Sequence, residues 1–223
     1  MEKRYRLAVY DLDGTLLDTA EGVLAAAKYT IKQFGFRELD DRQMRSFIGP
    51  PIQESFAKAY HLEGDILQDI ATVFRDRYKN VDLLKAVPYD GIYDSLLDLR
   101  NNGIKLAVAT YKREDYALRI LEHFGFNKYF DVMHGADHNN VLRKSDIVEQ
   151  CIIETGMTEK GTVVLVGDTI SDEAGAKKVG IDFIGVTYGF GYQDDKAREK
   201  ADAIGFASTP FEVKNMILGL NNH

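Results

Sequence analysis

The stretch LAVYDLDGTLLDT, residues 7–19, runs apolar for four residues and then sets two acids, Asp11 and Asp13, one residue apart before Gly14-Thr15. Like charges that close repel, and each ionised carboxylate is costly beside an apolar core. The apolar run suits a strand covered on both faces. Side chains alternate along an extended chain, so Asp11 and Asp13 point one way while Leu12 points into the core. Something elsewhere in the chain has to compensate the two charges.

RLAVYD (6–11) is one of four runs of this texture, the others being IKLAVAT (104–110), TVVLVGD (162–168) and DFIGVTYG (182–189), with YFDVMHG (129–135) as a weaker fifth. Helical patterns fit between them at 90–101, 113–124, 145–155 and 171–179, several closed by a glycine such as Gly103, Gly125, Gly156 or Gly180. The alternation predicts βαβ units and an α/β fold with a doubly wound parallel sheet. Residues 18–85 interrupt the scheme. They contain no strand-like run and read as amphipathic helices at 20–34, 40–47, 51–60 and 65–79, with Pro51 at a helix start. The expected domains are therefore a catalytic α/β core, 1–17 and 86–223, and an inserted all-α cap, 18–85. The insert leaves the chain just beyond Asp13, which suits a lid.

The 223 residues carry 45% hydrophobic and 28% charged side chains, ordinary for a soluble globular protein, and a net charge of −7 argues against nucleic acid as the main partner. The single cysteine, Cys151, excludes an internal disulfide and sits among apolar residues at helical spacing, as a buried structural thiol does. No apolar run reaches a membrane span, and Asp11 cuts short the apolar stretch that a secretory signal would need. A cytoplasmic protein with no membrane partner, monomeric or homodimeric, is expected. The histidines are read as structural: His61 in the cap, His123 in a helix, His134 and His138 in the loop before Lys144. GFGY (189–192) is read as a turn, since it lacks the strand-then-helix setting of a nucleotide-binding loop.

In open α/β sheets ligands bind at the carboxyl ends of the strands near the switch point. Four such ends carry polar residues: Asp11, Asp13 and Thr15; Thr110; Lys144, read as lying in a loop before its helix; and Asp168 with Asp172. Asp11, Asp13 and Asp168 around one point would be balanced by a hard divalent cation, Mg²⁺ being the natural choice, because it takes oxygen ligands and keeps waters and phosphate. Lys144 adds a positive charge, and Thr110, Thr15 and loop N–H groups add donors, which together suit a phosphoryl group. One carboxylate can attack phosphorus while the other moves the proton.

With these residues in view, the sequence resembles the haloacid dehalogenase-like hydrolases, in their phosphoglycolate phosphatase-like branch with a helical cap. The likeness rests on DLDGTLLDT (11–19), IGPP (48–51), AVAT (107–110), Lys144, VGDTISDEAGAKKVG (166–180) and GVTYGFG (185–191), which span nearly the whole chain. The resemblance implies a Mg²⁺-dependent phosphatase acting on a small phosphate ester, with Asp11 as nucleophile, Asp13 as general acid/base, and Thr110 and Lys144 holding the phosphoryl group. It implies a metal held by Asp11, the backbone carbonyl of Asp13 and Asp168, with Asp172 in support. Thr15 favours hydrolysis over the sugar-phosphate mutases of the same family, which often carry Val there. A phospho-acceptor signalling module shares the site chemistry but lacks the helical insert. The sequence departs from the family pattern at Tyr111, where Asn is common, and at Ser145, where Pro is common; Ser145 suits a helix N-cap. Tyr111, Lys112 and Arg113 are expected to border the pocket, and Arg45 and Gly49 in the cap to reach the substrate, with Arg42 and Lys58 as further candidates.

Overall fold

The computed structural model describes residues 5–138 and 141–220; residues 1–4, 139–140 and 221–223, which fall within the assigned core segments, lie outside the described residues. The chain divides into two compact units, one formed by the segment up to Leu17 together with that from Pro88 onward, the other by Asp18–Val87. From the N-terminus the elements are β1 (Leu7–Tyr10), β2 (Leu17–Asp18), α1 (Ala20–Gln33), α2 (Asp41–Arg45), α3 (Ile52–Tyr60), α4 (Ile66–Arg77) and β3 (Val87–Pro88). Then follow α5 (Ile92–Asn101), β4 (Lys105–Arg113), α6 (Glu114–His123), β5 (Val132–Ala136), α7 (Lys144–Glu154), β6 (Val163–Gly167), α8 (Ile170–Val179), β7 (Asp182–Val186), α9 (Asp195–Glu199), β8 (Gly205–Ala207) and α10 (Pro210–Leu218).

The first unit is built on a six-stranded sheet in the order β5-β4-β1-β6-β7-β8, with every neighbouring pair parallel. This is the doubly wound α/β fold expected from the alternation of apolar runs and helical patterns. β1 lies inside the sheet, Leu7 opposite both Lys105 and Val163 and Tyr10 opposite both Val108 and Val166. The chain winds outward through β4 and β5, then returns to the other flank of β1 at β6, so the switch point is the β1/β6 boundary. On one face Leu7, Val9, Ala107, Ala109, Val163, Leu165 and Phe183 meet Ile147, Val148, Cys151 and Ile152 of α7 and Ala176 and Val179 of α8. The alternate residues Ala8, Tyr10, Leu106, Val108, Val164 and Val166 are buried as well, as continuous apolar strands require. α5 packs against β4 and α10.

Three expectations change. β4 does not stop at Thr110 but continues to Arg113, with its pairing to β5 shifting register between Ala109 and Arg113. Polar Lys112 and Arg113 read as a strand end because they no longer alternate with the core, yet an irregular ladder tolerates them. α7 starts at Lys144, so this lysine is on the first helical turn and not in a loop. Ser145 is not its N-cap: that position is Arg143, whose backbone N–H donates to the Asp146 carboxylate at 2.8 Å. The C-terminal elements α9, β8 and α10 were not anticipated.

The second unit is mainly helical. α1 and α3 both pack on α4. Phe47 meets Phe56 edge-on at 5.0 Å in the unit's interior, and the half-buried Phe36 stacks on Tyr60 at 4.6 Å. α2 begins with Asp40 accepting from the Gln43 N–H while Gln43 accepts from the Asp40 N–H. Pro51 is the N-cap of α3. Beyond α4 the helix widens into a π-helical turn, Tyr78–Asp82, where the fully buried Asp82 carboxylate pairs with Arg77 at 2.7 Å and Lys85 at 2.8 Å.

Candidate active site

Asp11 follows β1 directly, and its N–H donates to Val166 O at 2.9 Å, so strand pairing to β6 extends one residue onto the acid itself. Its carboxylate is buried. Lys144 reaches it from the start of α7, Nζ to Oδ1 at 2.5 Å, and the same ammonium meets Asp172 Oδ1 at 2.6 Å. The other Asp172 oxygen accepts from the Thr169 N–H at 3.0 Å and hydroxyl at 2.6 Å, capping α8. Asp172 is thereby held on both sides, by Lys144 and by the cap of α8.

Asp168 follows β6 as Asp11 follows β1. It is fully buried; Oδ2 accepts from the Phe190 N–H at 2.6 Å, while Oδ1 has no hydrogen-bond partner among the described residues. Gly14 and Gly189 allow the crowding. Gly14 has φ +80°, and a Cβ there would lie 2.3 Å from Asp168 Oδ2; one on Gly189 would lie 2.4 Å from Asp168 Cβ. GFGY is thus a turn, but one wrapped around a buried acid, a role the sequence reading missed. A pair of glycines after a strand, opposite a strand-end acid, was the available signal.

Asp11, Asp168 and Asp172 offer oxygens that all lie within 4.8 Å of one another, with the buried ammonium of Lys144 paired to two of them. Burial raises the Asp11 pKa to about 7, with Lys144 pulling down and Asp172 and Asp13 pushing up. Burial, then Asp172 and Asp11, lift Asp168 well above the carboxylate range. Burial disfavours the Lys144 ammonium, but Asp11 and Asp172 outweigh it and raise its pKa above the ordinary lysine value. Three acids with one cation, one of the acids carrying a buried oxygen without a partner among the described residues, form a donor set that fits a hard divalent cation.

The remaining expected residues are placed as follows. Asp13 is partly exposed, with Lys112 Nζ 3.1 Å from its Oδ1; its side chain is not part of the three-acid group. Thr15 is fully buried, its hydroxyl unpartnered among the described residues and its carbonyl accepting from Tyr188 Oη at 3.2 Å. Thr110 is buried, and its Oγ1 accepts from the Lys112 N–H at 3.2 Å, which leaves the hydroxyl proton to be donated. Tyr111 is 44% exposed. Arg113 pairs with Asp115 and lies over the Tyr116 ring at 3.9 Å. Arg45, at the end of α2, and Gly49, at φ +102°, belong to the helical unit and are exposed there, as are Arg42 and Lys58. His134 lies on β5 rather than in the following loop, one ring nitrogen facing Glu114 and the other Glu154. Cys151 is buried without a disulfide; burial pushes its thiol up to about 12, and it donates to Val108 O.

Comparison with known proteins agrees with this layout. The model of the haloacid dehalogenase-like hydrolases matches residues 8–186. A 5'-nucleotidase of Pseudomonas aeruginosa is 30% identical over 193 residues, 86% of this chain and 87% of that protein. The tyrosine-protein kinase PtkA of Mycobacterium tuberculosis is 30% identical over 213 residues, 95% of this chain and 72% of that protein. A haloacid dehalogenase-like family hydrolase from Streptococcus pneumoniae superposes with a TM-score of 0.85 at 28% identity, covering 94% of this chain and 96% of that one. No helix among the described residues is long and apolar enough to cross a membrane. With the sheet order, the strand-end acids and the matched segment in agreement, the chain belongs to the haloacid dehalogenase-like hydrolase family.

Proposed function

We propose that this protein is a Mg²⁺-dependent phosphatase that hydrolyses a small phosphorylated metabolite through a phosphoryl group carried transiently on Asp11. The observation that carries the reading is the Asp11 carboxylate, mounted at the switch point, pinned by Lys144, and grouped with the buried Asp168, whose Oδ1 has no partner among the described residues. Asp11 and Asp168, with the Asp13 carbonyl, would hold the cation and Asp172 would support it. Once bound, it would offset the negative charge that otherwise keeps a phosphate dianion from an anionic nucleophile.

In the first step an Asp11 oxygen attacks phosphorus, the bond to the ester oxygen breaks, and Asp13 gives its proton to the departing alkoxide. Lys144 keeps the other Asp11 oxygen turned away from phosphorus and, with Thr110, faces the phosphoryl oxygens. In the second step Asp13 takes a proton from water, whose oxygen attacks phosphorus; the phosphoryl–Asp11 bond breaks, and inorganic phosphate leaves. The relatives include a 5'-nucleotidase, which makes nucleoside monophosphates one class to assay beside phosphoglycolate, sugar phosphates and pyrophosphate. The helical unit, inserted just after the segment bearing Asp13 and Thr15, is the candidate for selecting among these.

Phosphate release from such a panel tests the reading. Activity should vanish in EDTA, return with Mg²⁺, and be absent from a folded Asp11→Asn variant. Full activity in chelator, or from Asp11→Asn, overturns it.

A further inference from the structure

The continuation of β4 past Thr110 places Lys112 in an unusual position. Its side chain is only 9% exposed, and its ammonium faces Asp13 Oδ1 at 3.1 Å, off the line of a well-formed hydrogen bond. Asp13 Oδ1 is sealed from solvent although the side chain as a whole is 29% exposed, so the accessible face of this carboxyl is that of Oδ2. The backbone N–H of the same Lys112 donates to the Thr110 hydroxyl oxygen. One residue therefore ties down the rotamers of two strand-end groups, from its main chain and from its side chain.

We propose that Lys112 is a positioning residue for proton transfer: it restrains Asp13 through Oδ1 and so presents Oδ2 to the ester oxygen, rather than binding substrate itself. The inference rests on the acid/base role given to Asp13 above. The Lys112 ammonium is enclosed against the carboxyl of Asp13, which is where its charge acts. Proton transfer is sensitive to such restraint, since a donor displaced by about 1 Å can lose on the order of 10²-fold in rate. The neighbouring Arg113 cannot take over, because Asp115 and Tyr116 already hold it.

The test is the dependence of kcat/KM on leaving group, measured with 4-nitrophenyl phosphate, whose phenolate departs with little help, and phenyl phosphate, whose phenolate needs the proton. Lys112→Met should lose on the order of 10²-fold on phenyl phosphate and less than about 3-fold on 4-nitrophenyl phosphate, and Lys112→Arg should regain most of the loss. Equal losses on both substrates would make Lys112 a phosphate ligand, and no loss would make it a bystander; either result overturns the proposal. Asp13→Asn, run in the same series, separates the two readings. A steep profile for Asp13→Asn with a flat one for Lys112→Met removes only the positioning role. A flat profile for Asp13→Asn removes the acid/base role and the proposal with it. Circular dichroism confirms folding, and Lys112→Gln replaces the Met variant should that one fail to fold.

Discussion

Asp11 and Asp13 are neighbours in sequence with different surroundings: one is enclosed with Lys144 and two further acids, the other is partly open beside Lys112. Asp11, Asp168 and Asp172 were legible as candidates because they end an apolar run or open the helix after it, whereas Lys144 was picked out but placed in a loop and not on α7. The Phe190 amide was not legible, since a backbone N–H has no letter of its own, and neither was the Lys112–Asp13 contact, which depends on how far β4 runs. The raised Asp11 pKa carries a sign. A carboxyl whose folded pKa lies above its unfolded value binds more protons in the native state, so its contribution weakens as pH rises from about 4 toward about 7. The metal-free protein in EDTA should therefore melt at lower temperature at pH 8 than at pH 5.5. Mg²⁺ should raise the melting temperature, more so at the higher pH, in differential scanning fluorimetry. A Mg²⁺ effect equal at both pH values would contradict the charge imbalance described here.

At the scale of elements, five of the six strands of the sheet were legible from their continuous apolar runs, including the weak one that became β5. Their ends were not. Lys112 and Arg113 look like loop, and only the register shift against β5 shows how the ladder accommodates them. α9, β8 and α10 were missed because a polar, glycine-containing stretch separates them from β7 and β8 is only three residues long. The start of α7 was misread because Ser145 is a common capping residue; the carboxylate of Asp146 takes the N–H of Arg143 instead. Asp146→Ala should thus cost about 0.5–2 kcal/mol in urea unfolding, in the range of lost caps. It should also reduce activity, because Lys144 stands on that same turn.

For the whole molecule, alternating apolar runs and helical patterns disclosed the α/β sheet, and the lack of strand-like runs over 18–85 was the ground for expecting a helical insert there. What stayed hidden was the interior of the helical unit, where the buried Asp82 and its two cations look in sequence like surface charge. Cys151 sits in the core between α7 and the sheet, so its thiol reports on the entire α/β unit. It should resist Ellman's reagent in native buffer and react stoichiometrically in denaturant. Rapid labelling of the native protein would place it outside the core.

β1 is hydrogen-bonded along both flanks, to β4 and to β6, and has no free edge. Its amides should be among the last to take up deuterium, opening only when the α/β unit comes apart as a whole. Asp11 is anchored by its own N–H to that slow-opening strip, so partial unravelling at the outer strands or the chain termini would leave the mounting of this acid undisturbed.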